Sequence, residues 1–144
     1  MDRTKVIARK LDGQIIKGYI ETAPEAIYAD DISISSLTEK VIEVPKREMK
    51  ALFFPREFSG NKEYSDVKFF ENQPRIEGLW VRVTFYDNEM IEGIVSNFRR
   101  LLLDETFYLK PTDANSNNEL VCVFKASMKD FSVLGIRYSK LPQP

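Results

Sequence analysis

Val81-Arg82-Val83-Thr84-Phe85-Tyr86-Asp87-Asn88-Glu89-Met90-Ile91-Glu92-Gly93-Ile94-Val95 is the stretch that decides the fold. Val81, Val83 and Phe85 alternate with Arg82, Thr84 and Tyr86, the period of two that a strand with one buried face requires. Asp87-Asn88 interrupts the run and Met90 to Val95 resumes it, so the pair reads as a hairpin. Residues 6–11, the Asp12-Gly13 dipeptide and residues 14–20 repeat the arrangement near the N-terminus, and Asp-Gly predicts a type I′ turn there. Working outward, strands are expected at 32–36, 41–44, 51–54, 106–110, 120–124 and 130–134, while helical periodicity is scarce. The chain reads as all-β.

The two hairpins overlay. An offset of 75 pairs Val6 with Val81, Asp12 with Asp87, Ile16 with Ile91 and Gly18 with Gly93, and sets Ile32 and Ile34 against Phe107 and Leu109. An offset of 79 then pairs Val44 with Val123, Lys46 with Lys125, Met49 with Met128 and Lys50 with Lys129. The four extra residues fall in the polar stretch 111–118, where a hairpin tip accepts insertion at little entropic cost. An internal duplication is expected, with about five strands in each copy, and that number suits a small, strongly bent barrel. Gly18 and Gly93 sit mid-strand, where glycine marks a sharp bend or a close backbone approach. The expected organisation is a first barrel over 1–60, an ordered connecting segment over 61–78 and a second barrel over 79–144.

Composition narrows the function. The 144 residues are 43% hydrophobic and 30% charged, enough apolar content for a core. The balance of 21 Lys+Arg against 22 Asp+Glu argues against a dominant nucleic-acid footprint, which shows as a basic excess. With no histidine, histidine-based triads, metal sites and proton shuttles are excluded. Cys122 is the single cysteine, which rules out an internal disulfide and suits a reducing compartment. The N-terminal run Val6-Ile7-Ala8-Arg9-Lys10 is too polar for a signal-peptide core. Apolar runs such as Ala51-Leu52-Phe53-Phe54 fall far short of the roughly 20 residues of a spanning helix. A cytoplasmic protein is expected.

Leu11-Asp12-Gly13-Gln14-Ile15-Ile16-Lys17-Gly18-Tyr19-Ile20 resembles the first signature of Sm-like proteins, an Asp-Gly turn followed by a strand with a fixed glycine. Residues 86–95 look like a second copy of it. The stretch 49–61, with the 113–118 loop, is similar to an uncharacterised bacterial Sm-like family. The resemblance implies two five-stranded Sm/SH3-like barrels in tandem and assembly through strand edges. The positions at which that family contacts RNA hold Pro24 and Tyr28 in one copy and Arg99 and Leu103 in the other, and Lys125-Ala126-Ser127-Met128 stands near the second signature. What the resemblance implies is therefore the barrel and not uridine recognition.

Candidate sites are few. Phe98, Arg99 and Arg100 form a basic-aromatic patch that could hold phosphate and stack a base; the alternative is Phe98 in the core and solvated arginines. The matching loop of the first copy, 23–31, is acidic, which suits dissimilar partners or a head-to-tail contact between copies. Phe53 and Phe54 point to opposite faces of a strand, so one of them, or Phe58, covers the other barrel or forms an interaction surface together with Arg56. The 55–78 segment, with Tyr64, Phe69 and Phe70, looks too aromatic for a free linker. Asp12, Gly13, Gly18, Asp87, Asn88 and Gly93 are expected as turn and bend residues. The 113–124 stretch lacks the glycine and the final glutamate of a calcium loop. The acid pairs Asp30-Asp31 and Asp104-Glu105 read as solvated loop charges, and Cys122 as a strand residue without a catalytic role. No phosphate-binding glycine loop occurs, and no metal or cofactor is expected. A non-enzymatic module is expected, binding a protein partner or its own copies through strand edges. The alternative is RNA or single-stranded nucleic-acid binding, and a third option is a small ligand in the crevice between barrels.

Overall fold

The structure is a computed structural model that describes residues 3–22, 25–56, 78–97, 99–112 and 117–137. Ten strands are present: β1 (Arg3–Lys10), β2 (Ile15–Glu21), β3 (Asp31–Ser36), β4 (Val41–Pro45), β5 (Met49–Pro55), β6 (Gly78–Phe85), β7 (Met90–Val95), β8 (Thr106–Pro111), β9 (Asn118–Phe124) and β10 (Met128–Arg137). Two one-turn helices, α1 (Glu25–Tyr28) and α2 (Arg100–Leu103), and two 3₁₀ turns, Lys46–Glu48 and Lys125–Ser127, complete the described residues. The helices were not foreseen; they follow β2 and β7 at the same place in each half. The connecting segment expected at 61–78 lies outside the described residues except for Gly78, which opens β6. Among the described residues no helix is long and apolar enough to cross a membrane.

All ten strands join one antiparallel sheet in the order β10-β6-β7-β8-β9-β5-β1-β2-β3-β4. This corrects the expectation of two separately closed barrels. The sheet is continuous and open, because the free edge of β5 is occupied by β9 of the other half. Within each half the order and register repeat. Val6 faces Gly18 as Val81 faces Gly93, Gly18 faces Ser36 as Gly93 faces Pro111, and Ala8 faces Leu52 as Val83 faces Phe131.

Local chemistry explains the hairpins. Gly13 has φ +92° and donates its N–H to the Lys10 carbonyl, while Lys10 closes the loop onto Gln14. The loop is thus three residues with a left-handed third position, rather than the type I′ turn expected, which needs positive φ at both central residues. Asp12 accepts the Gln14 N–H through Oδ1 at 2.9 Å. The β6–β7 loop repeats this, with Asn88 at φ +71° and Asp87 Oδ1 accepting from Glu89 N–H at 3.0 Å. Gly18 and Gly93 sit where β2 and β7 cross the next strand. A Cβ at Gly18 would overlap the Ser35 carbonyl oxygen, and one at Gly93 would overlap Leu109 and the Lys110 carbonyl.

Two cores lie on opposite faces of the central strands. The first packs Val6, Ala8, Ile16, Ile32, Ile34 and Leu52 against Cys122 and Phe124 from β9. The second packs Val81, Val83, Phe85, Phe107, Leu109 and Val123 against Ala51 and Phe53 from β5. Each half therefore completes the other's core. Burying Phe53 and Phe124 in this way contributes about 1.5–3 kcal/mol apiece. Because the obstruction at Gly18 is backbone, Gly18→Ala should lower stability by about 1–3 kcal/mol, read as a lower urea midpoint. An unchanged midpoint would show that β2 can move away from β3.

Candidate functional site

Among the described residues the two halves are joined by the β5–β9 ladder. β5 and β9 pair with Ala51 opposite Val123, Leu52 opposite Cys122, Phe53 opposite Val121 and Phe54 opposite Leu120. Side chains alternate faces along each strand, so both strands are buried on both sides. Ion pairs flank the ladder. Arg56 meets Glu119 at 3.1 Å and Lys46 meets Glu105 at 3.1 Å.

Lys50 is the least expected member of the seam. It is 3% exposed, and its ammonium pairs with Asp87 at 2.6 Å and also with Glu89, lying 4.8 Å from the centre of the Phe85 ring. Arg9 of β1 holds Glu89 from the other side at 3.1 Å. A strand of one half is thus locked onto the hairpin turn of the other. The Lys50 hydrogen bond, followed by the Glu89 backbone N–H, holds the Asp87 carboxyl below its ordinary 3.8. Burial opposes ionisation of Glu89, but hydrogen bonds from Lys50 and Arg9 outweigh it and its pKa falls below 4.5. Ser127 is fully buried, with its Oγ 2.6 Å from the Phe124 carbonyl and 3.0 Å from that of Lys50. The pairing of Lys50 with Lys129 across the repeat hinted at a shared place in the fold, but nothing local marked Lys50 as buried.

The sequence-predicted residues do not form one cluster. Phe98 and Phe58 lie outside the described residues. Arg99 and Arg100 are exposed, and Arg100 meets Asp104 at 3.7 Å. Phe54 packs against the first core and tilts onto Tyr108 with ring centres 6.3 Å apart. Phe53, the other member of that pair, enters the second core, among residues of the other half. Phe54 and Arg100 do share the rim of a groove of about 980 Å³, together with Tyr108 and Lys110. Glu21 and Glu119 also line it, so its charge is mixed. In α2, Leu101 packs on the second core while Leu102 and Leu103 face solvent. The acids Asp104 and Glu105 are tied to Arg100 and Lys46. Among the described residues no cluster of three or more Cys, Asp or Glu could hold a metal ion.

The sheet ends in β4 and β10. These occupy, in their halves, the places that β9 and β5 occupy at the seam, and their residues can be compared position by position. On β10, Asp130, Ser132 and Val133 stand where β5 has Ala51, Phe53 and Phe54. On β4, Val41, Glu43 and Pro45 stand where β9 has Leu120, Cys122 and Phe124. The residues that feed shared cores at the seam are therefore polar or proline at the ends. Val41 is 65% exposed, and Val133 and Ile136 are 54% and 58% exposed.

These features define an all-β protein organised as one open antiparallel sheet with a self-complementary interior junction. The chain belongs to the family of unknown function DUF6982, whose model matches residues 2–135. No curated protein and no solved structure matches it.

Removing both carboxylates from the seam, with Asp87→Asn and Glu89→Gln together, leaves the Lys50 charge buried without a counter-charge. The cost should be about 3 kcal/mol, at the low end for a buried pair because both acids meet solvent; Lys50→Met should cost less than half as much by urea denaturation. Both acids have lowered folded pKa values, so their contribution is complete above 3.8 and 4.5 and is lost as pH falls through the lower folded values. The denaturation midpoint should fall more steeply towards pH 3 in the wild type than in Lys50→Met, and equal slopes would count against the lock.

Cys122 reports on the same seam. Burial pushes its thiol up to about 12, against a smaller opposing effect of a Thr106 hydrogen bond. About 10⁻⁴ of it is then thiolate at pH 8. Iodoacetamide should leave the native thiol unmodified for hours and alkylate it within minutes in urea. Rapid native labelling would mean that β5 and β9 separate readily.

Proposed function

We propose that this chain is a non-enzymatic protein-interaction and assembly module, two Sm-like halves joined in one open sheet, that works through its open strand edges. The observation that carries it is the pair of end strands. β4 and β10 each have one strand neighbour among the described residues, and each exposes valine beside an unpaired ladder edge. Such an edge accepts an extended segment from another chain, main-chain bonds giving affinity and side-chain contacts giving selectivity. The Sm-like assignment is supported by the repeated strand order, the repeated register, and the matching turn and crossing residues Asp12, Gly13 and Gly18 against Asp87, Asn88 and Gly93. An origin by duplication accounts for all three at once. No catalytic step is part of this function.

Nucleic-acid binding has less behind it. Arg100 already has Asp104 as a partner, and the solvent-facing neighbours on α2 are Leu102 and Leu103 rather than aromatic rings.

A photo-crosslinking side chain at position 41 or 133, compared with one at position 17 on the interior strand β2, tests the edges in living cells. Adducts to a protein, whether another chain or a further copy, are expected at 41 and 133 and not at 17. No adduct at either edge, or equal yield at 17, would overturn edge binding.

A further inference from the structure

We propose that the segment taken up by these edges belongs to a second copy of this chain, docked head to tail with β10 of one copy antiparallel to β4 of the next. This rests on the edge-binding function above and names its partner. The seam supplies the template. β5 and β10 are the strands that pair with the first strand of their halves, β1 and β6; β4 and β9 pair with the third, β3 and β8. The junction inside the molecule joins one strand of each kind, and the two strands left at the ends are again one of each kind. The ends are complementary rather than alike, so the contact between copies is heterologous.

The register follows from the seam. Phe54 opposite Leu120 becomes Val133 opposite Val41, and Ala51 opposite Val123 becomes Asp130 opposite Val44. The two valines most exposed at the edges thereby cover each other. The lock carries over in part, since Gln14 and Lys10 stand where the seam has Glu89 and Phe85. Lys129 stands at the place of Lys50, and Asp12 at the place of Asp87. Lys129 is exposed and reaches only the Asn88 side-chain oxygen, at 2.9 Å, with no carboxylate partner among the described residues. Asp12 has 64% of its side chain exposed; Oδ1 accepts the Gln14 N–H, and Oδ2 makes a loose contact with Lys10 at 3.8 Å. In the seam register, Lys129 of one copy meets Asp12 of the next.

The same comparison sets the strength of the contact. Glu43 and Asp130 stand where the seam has Cys122 and Ala51, so two copies cannot share their cores as the halves do. Charges of this kind weaken an edge without abolishing its ladder. The contact then consists of main-chain bonds, one valine pair and one ion pair, and it is reversible and dependent on concentration.

Sedimentation velocity of the full chain over a hundred-fold concentration range reads the outcome. The mean mass should rise from 16.7 kDa towards multiples of it, and Val41→Lys or Val133→Lys should hold the chain at the monomer mass with an unchanged melting temperature. Lys129→Glu should weaken association by about three- to ten-fold, and so should Asp12→Lys. Their combination in one chain should recover most of the loss, which a mere defect in the Asp12 turn would not do. Self-association indifferent to Val41→Lys and Val133→Lys would overturn the inference. A strict monomer whose crosslinks at 41 and 133 capture a different protein would overturn it and leave edge binding standing. A strict monomer without edge crosslinks would end both.

Discussion

Everything in this structure depends on β5 and β9 being buried on both faces at once. An ordinary antiparallel strand has one face to hide; these two have none to show. Their sequences, Ala51-Leu52-Phe53-Phe54 and Leu120-Val121-Cys122-Val123-Phe124, are continuous apolar runs rather than alternating ones, as doubly covered strands must be. Odd-numbered residues of both runs serve the second core, and Leu52, Cys122 and Phe124 serve the first. Neither half has a complete interior without the other. The seam is also where the buried charge sits, Lys50 between Asp87 and Glu89, so polar and apolar contacts join the same two elements.

Much of the fold was legible in the sequence because strands of period two are local signals. The bounds expected for β4, β5, β8 and β9 fall within about two residues of those observed. Val6 to Ile20 and Val81 to Val95 announced their hairpins, and the offsets of 75 and 79 correctly aligned their ladders. What was missed is nonlocal. Nothing near residue 52 states that its neighbour is residue 122, and without that pairing two closed barrels were the natural expectation. The Asp12-Gly13 turn was misjudged because the same dipeptide serves two- and three-residue loops, and the Lys10–Gln14 closure decides between them. The helices α1 and α2 are single turns, too short to print a period of 3.6 residues. Among candidate residues, Phe53 and Phe54 were legible as a pair dividing between faces, whereas Lys50 was invisible because lysine in a strand is ordinarily solvated.

Comparison of seam and ends separates what the fold demands from what a single location demands. Positions at the turns and crossings match in both halves: Asp12 and Asp87, Gly18 and Gly93. Positions on the outward faces of β4 and β10 do not match those of β9 and β5, since Glu43, Pro45, Asp130 and Ser132 replace apolar residues. An apolar residue at those four places would offer the seam's surface to every passing copy. Three of these residues are polar and the fourth is proline, so the end strands do not present the seam's apolar surface.

The interlocked cores also bear on how the chain is made. On the ribosome the first half emerges with its hairpins able to form within microseconds, since their contacts are local. Its core nevertheless lacks Cys122 and Phe124, which arrive about 70 residues after Leu52 and at ordinary elongation rates several seconds later. For that interval β5 carries an uncovered apolar face and an unpaired edge, the surface most prone to join the wrong neighbour. That exposure ends only when the ninth strand has left the tunnel and can pair with the fifth.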